Sequence, residues 1–193
     1  MTATRPTRTA LLAAAALTAA LAPVAEAAAP RPDTAQARAA TPLLSCRVAT
    51  SADDPVAFSP PLTFQARTTQ LTGTLDLFDC TSPDGSQPDL DSGTLTLRAT
   101  GRAGCNGATQ ITGTGTITWY DGAGEEAGTS SLQPVGSVDG YNPGDALLGG
   151  TVTDGLLAGA RASGSATPTV DVDQCAEGGI STLNGSGTIR FLP

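Results

Sequence analysis

The 193-residue chain contains no histidine and no lysine; its ten basic side chains are all arginine. Without histidine, Ser-His-Asp and Cys-His arrangements are excluded, and the commonest metal ligand and neutral-pH proton shuttle is missing. Aromatic side chains are scarce, with one Trp, two Tyr and four Phe. That is few for the aromatic platforms on which sugar sites lean. No Gly-rich phosphate loop leads from a strand into a helix. Beyond the N-terminus there is no long apolar run, so no transmembrane segment is expected after the first residues are removed.

What is there begins with an export signal. Arg5 and Arg8 form a positive start, residues 10–22 are apolar and uncharged, and Ala25 and Ala27 offer small residues for cleavage. The expected organisation is a signal peptide over 1–27, a flexible Ala/Pro-rich leader over 28–42 and a single β domain over 43–193. Removing the signal leaves 8 arginines against 17 acids, a net charge of −9. Such a surface repels nucleic acid and anionic lipid. The predicted location is extracellular.

The four cysteines, Cys46, Cys80, Cys105 and Cys175, all lie in the exported domain. An even count outside the cell predicts two disulfides. Zinc would want closely spaced pairs, and with no C-x-x-C and no histidine a zinc site is not expected. No cofactor is expected either.

Patterns of period two run along the domain, which predicts antiparallel strands with one buried and one wet face. The segment "ITGTGTITW" (111–119) returns as "LNGSGTIRF" (183–191). In the first copy Ile111, Gly113, Gly115, Ile117 and Trp119 share one face, with four threonines opposite. "LTGTLDLF" (71–78) and "SGTLTLRA" (92–99) alternate in the same way. Turn signals at "SPDGS" (82–86), "WYDGAG" (119–124), "DGYNPGD" (139–145) and "DG" (154–155) separate them. The predicted fold is all-β, an antiparallel barrel or sandwich of roughly eight strands with two disulfides. Inward glycines mark bends or close approaches, which leaves room for Trp119. Alternatively Gly113, Gly115 and Trp119 face a ligand in a lumen.

If strands alternate up and down, the loops at 79–92, 120–128 and 154–155 share one end and those at 101–109, 139–146 and 165–179 the other. Cys105 and Cys175 then fall together, which leaves Cys46 for Cys80. The expected pairs are Cys46–Cys80 and Cys105–Cys175. Trp119 lies 14 positions after Cys105, and Cys175 lies 70 after it, close to an immunoglobulin Cys-Trp-Cys spacing. Cys105 sits in a turn, however, and position 173 is Asp where a corner tyrosine belongs, so the spacing is read as coincidence.

The signal peptide, "FSPPLTFQ" (58–65), "GTGTITW" (113–119), "GGTVTDGLLAG" (149–159) and "GSGTIRF" (185–191) resemble a group of small secreted β-rich actinobacterial proteins. The resemblance covers most of the domain and implies export, a β fold and paired cysteines. It transfers no functional residues.

Four features carry functional hypotheses. The carboxylate pairs Asp89/Asp91, Glu125/Glu126 and Asp171/Asp173 are nominal glycosidase candidates, but so few aromatics argue against a sugar-cleaving cleft, and no enzyme is expected. The acids Asp79, Asp84, Asp89, Asp91, Asp121, Glu125, Glu126 and Asp154 fall at one end and could bind calcium weakly. Outward threonines at 72, 74, 94, 96 and 112–118 could order water or grip a crystalline surface, although threonine is an ordinary solvent-face strand residue. The polar loop 79–93, anchored at Cys80, could be presented to a protease by a secreted inhibitor. The expected function is a non-catalytic extracellular binding or cell-envelope-associated module, its partner an unknown extracellular protein or small ligand. The inhibitor is the alternative.

Overall fold

The computed structural model describes residues 40–139, 148–169 and 173–193. The expected signal peptide, the leader up to residue 39, and Asp171 lie outside the described residues. The elements are β1 (Leu44–Thr50), β2 (Val56–Leu62), β3 (Arg67–Thr81), β4 (Ser92–Gly104), β5 (Gly107–Tyr120), β6 (Glu126–Pro134), β7 (Ser137–Asp139), β8 (Gly150–Gly155), β9 (Arg161–Pro168), the short α1 (Gln174–Glu177), β10 (Ile180–Leu183) and β11 (Gly185–Leu192).

Hydrogen-bonded neighbours run β1-β3-β4-β5-β6-β8-β9-β11, and β11 pairs back onto β1. Every ladder is antiparallel, so the sheet closes as an eight-stranded up-and-down barrel. Closure removes the exposed edges that an open sheet would have to protect. Leu43 N–H donates to the Phe191 carbonyl at 2.8 Å, so the chain enters the barrel beside the point where it leaves.

Two walls of the barrel are broken strands. β1 pairs with the upper half of β3 (Val48 opposite Leu77), and β2 with its lower half (Ala57 opposite Thr72). Across the seam β11 pairs with β1 and β10 with β2. β1 with β2 is therefore one wall interrupted at 51–55, and β10 with β11 is the next, interrupted at Asn184. The breaks are latched: Thr74 donates through its amide to Asp54 O and through Oγ1 to Asp54 Oδ2 (3.0 and 2.7 Å), and Gly185 N–H donates to Thr50 Oγ1 at 3.0 Å. Gly73 lets the interrupted wall pass. Its φ is +155°, and a Cβ there would lie 2.6 Å from the Val56 Cα.

The two copies of the repeated phrase form β5 and β11, four strands apart in an eight-strand ring and so on opposite walls. Their last residues, Trp119 and Phe191, are both fully buried. Leu95, Ile117, Leu132, Val152 and Ile189 fill the space around them. A second group, Val56, Phe58, Leu62, Ile180 and Leu183, packs beneath, around the Cys105–Cys175 disulfide.

One turn lies later than its signal. Asp154 and Gly155, expected as the tip of a hairpin, belong to β8 and pair with Ser131 and Ser130 of β6. The chain reverses over 156–159, closed by Gly159 N–H on the Val152 carbonyl and Val152 N–H on the Ala160 carbonyl. The displacement carries Leu157 into the core, where it caps the upper end of the barrel.

Candidate functional site

Both expected disulfides are formed, Cys46–Cys80 and Cys105–Cys175. Cys80 reaches its partner through a bulge. Leu77 and Cys80 are both buried although three positions apart, because Asp79, at φ +50°, is an extra residue against β1. Asp tolerates this left-handed conformation better than most residues.

Trp119, Gly115 and Gly113 do not meet around one cavity. The Trp119 Nε1–H donates to Ser130 Oγ at 2.8 Å, and Ser130 in turn donates to the Leu156 carbonyl. The indole is thus fully buried with its polar group satisfied. Its space comes from Gly93 on the adjacent strand, where a Cβ would lie 2.9 Å from Trp119 Cε3. Gly115 abuts Leu95, Leu97 and Leu132. Gly113 borders a shallow depression shared with Gln70, Leu71, Arg98 and Thr112.

Two of the acids at the upper end, Asp84 and Asp121, serve their own turns. Asp121 accepts from Ala123 N–H and Glu125 N–H, each at 2.9 Å. Asp84 accepts from Ser86 N–H, Ser86 Oγ and Ser82 Oγ at 3.0, 2.8 and 3.2 Å. The two bonds from Ser86, backbone first, hold the Asp84 carboxyl below its ordinary value. Asp79 pairs with Arg47 at 3.3 Å. Among the described residues no three acids or cysteines are grouped to hold a metal ion.

The loop between β3 and β4 is tied down along its length. Ser82 Oγ donates to the Leu43 carbonyl (2.8 Å) and accepts from Gln87 N–H (3.0 Å). Cys80 N–H donates to the Asp91 carbonyl and Asp91 N–H to the Tyr120 carbonyl, both at 3.0 Å, while Leu90 is buried. Pro83, Asp84, Gly85, Ser86, Pro88 and Asp89 remain exposed on a backbone folded into two consecutive turns.

Beside this loop a groove of about 990 Å³ runs over the outside of the seam. Ser45 of β1, Thr81 of β3, Ser163 and Ser165 of β9, and Thr188 and Arg190 of β11 line it, between Pro42 and Pro83. Register explains the lining. Ser163, Arg190 and Ser45 stand in one outward row, and Ser165, Thr188 and Arg47 in the next. The sequence reading missed this site because its residues come from both ends of the chain and meet only when the barrel closes. The late phrase "GSGTIRF" held the one signal, a solvent-face arginine that follows Ser186 and Thr188 on the same face.

No helix among the described residues is long and apolar enough to cross a membrane. Comparison of the chain with family models, curated proteins and solved structures finds no match.

Proposed function

We propose that this protein is a secreted, non-catalytic binding module, and that it holds its ligand on the outside of the barrel, in the seam groove. The single observation behind this reading is a large hydroxyl-lined groove on a barrel whose upper half is filled by its own side chains. Two disulfides fit an oxidising compartment, and the signal-like N-terminus supports export. The likeness to small secreted β-rich actinobacterial proteins supports the same assignment. Closed ladders and a tethered loop make a preorganised surface, which lowers the ordering cost of binding.

The test is retention on immobilised extracellular polysaccharides and proteins. The mature protein and a Thr114→Trp variant, altered on the opposite wall, are retained by the same matrix. Ser163→Trp, which fills the groove, is not. Equal retention of all three sinks the reading.

A second reading, protease inhibition through loop 79–93, draws support from the rigidity of that loop. Its backbone turns twice between Ser82 and Leu90 and does not extend as a protease-bound segment must. Nanomolar inhibition of a secreted protease, lost on Asp84→Ala, would establish it over the groove.

A further inference from the structure

Resting on the groove reading, we infer that the ligand is an extended acidic polysaccharide, its anionic groups set against Arg190 and Arg161. The argument begins with charge. The exported chain has a net charge of −9, yet three of its eight arginines stand on three adjacent strands at the seam. Arg161, Arg190 and Arg47 lie on β9, β11 and β1. Ser163 is opposite Arg190 and Thr188 opposite Arg47, so each arginine is the diagonal neighbour of the next. Diagonal neighbours in such a sheet lie about 7–8 Å apart. Like charges in that relation repel, and the repulsion is relieved by a line of anions.

Two of the acids near this face are already engaged, while Asp76, exposed on β3, is the diagonal neighbour of Arg47 on the side away from Arg190. Asp79 is held by Arg47, and Asp84 is turned into its own loop by Ser82 and Ser86. Among the described residues Arg161 and Arg190 have no ion-pair partner. Arg47 also lies over the Phe78 ring, 5.1 Å from its centroid, leaving for a ligand Arg190, which lines the groove, and Arg161, which stands on β9 just outside that lining. Guanidinium presents a planar fork that matches carboxylate and phosphate.

Hydroxyls select the polymer. Ser45, Thr81, Ser163, Ser165 and Thr188 both donate and accept, as sugar hydroxyls do. A neutral sugar would want a stacking ring, and among the described residues none lines the groove. An acidic peptide would want a free strand edge or side-chain pockets, whereas β1 and β11, which carry Ser45, Thr188 and Arg190, are paired on both sides.

The experiment titrates polygalacturonate, dextran and poly-glutamate into the full mature protein with its disulfides intact. The expected result is binding of polygalacturonate that weakens with added salt. Arg161→Gln/Arg190→Gln weakens it about tenfold or more. Arg98→Gln/Arg102→Gln, the same change in net charge on the opposite wall, leaves it within about twofold. Equal loss in both pairs, or equally tight poly-glutamate binding with the same arginine dependence, overturns the inference. Dextran binding blocked by Ser163→Trp but indifferent to the arginines overturns the ligand class and leaves the groove reading standing. If Ser163→Trp changes binding of no polymer, both fall.

Discussion

Trp119 and Phe191 meet edge to face inside the barrel, ring centroids 5.5 Å apart and planes at 73°. Each ends one copy of the nine-residue phrase. The phrase is written twice because the barrel has two facing walls to build. In each copy glycines make the wall thin and the terminal aromatic fills the centre.

The contact predicts a measurable coupling. Trp119→Ala and Phe191→Ala should each cost about 3–5 kcal/mol, and a double-mutant cycle through milder variants, Trp119→Phe and Phe191→Leu, should leave a coupling of about 0.5–1.5 kcal/mol. Urea denaturation of the four proteins gives the number. Ser130→Ala, which strands the buried indole N–H, should cost about 1–3 kcal/mol.

Gly93 should tolerate nothing larger. A methyl group there meets the six-membered ring of Trp119, which cannot retreat from a filled core. Gly93→Ala should destabilise by about 1–3 kcal/mol. Gly122→Ala, where a Cβ meets nothing within 4 Å, should change stability little. Thermal melts of the pair separate close approach from a general cost of losing glycine.

The two disulfides should differ in worth. Cys105–Cys175 spans 70 positions and Cys46–Cys80 spans 34. On the loop-entropy account, removing the first should cost about 0.6 kcal/mol more than removing the second, out of about 2–5 kcal/mol each. Paired Cys→Ala variants measured under identical denaturant conditions test the order.

The Asp84 turn should loosen in acid. Its carboxyl titrates below the ordinary value of 3.8 in the folded protein. The turn is therefore fully supported above that value and loses its support as pH falls through the lowered folded pKa. The Ser86 amide resonance should report this titration, and Asp84→Asn should abolish it.

Much of the barrel was legible because local chemistry and topology agree. Alternation along residues 71–78, 92–99 and 111–119 assigns faces correctly, and counting the reversals of direction pairs all four cysteines. The closure was not legible, since the β1–β3 ladder depends on how Ser51–Pro55 redirect the first wall. What Asp84 and Asp121 do locally was legible in outline, since a carboxylate two residues before an amide is an intramolecular acceptor first. The arginine line was invisible because net charge is a sum over the chain, whereas a binding face depends on register between strands distant in sequence.

The bond from Leu43 N–H to the Phe191 carbonyl has an engineering consequence. Around this barrel the order of the strands is a ring, and the place where synthesis starts is arbitrary. Joining residue 193 to residue 43 through a short linker and reopening the chain between Gly122 and Gly124 should yield a circular permutant with the same ladders. Its new ends would emerge beside β5 and β6, far around the wall from the seam.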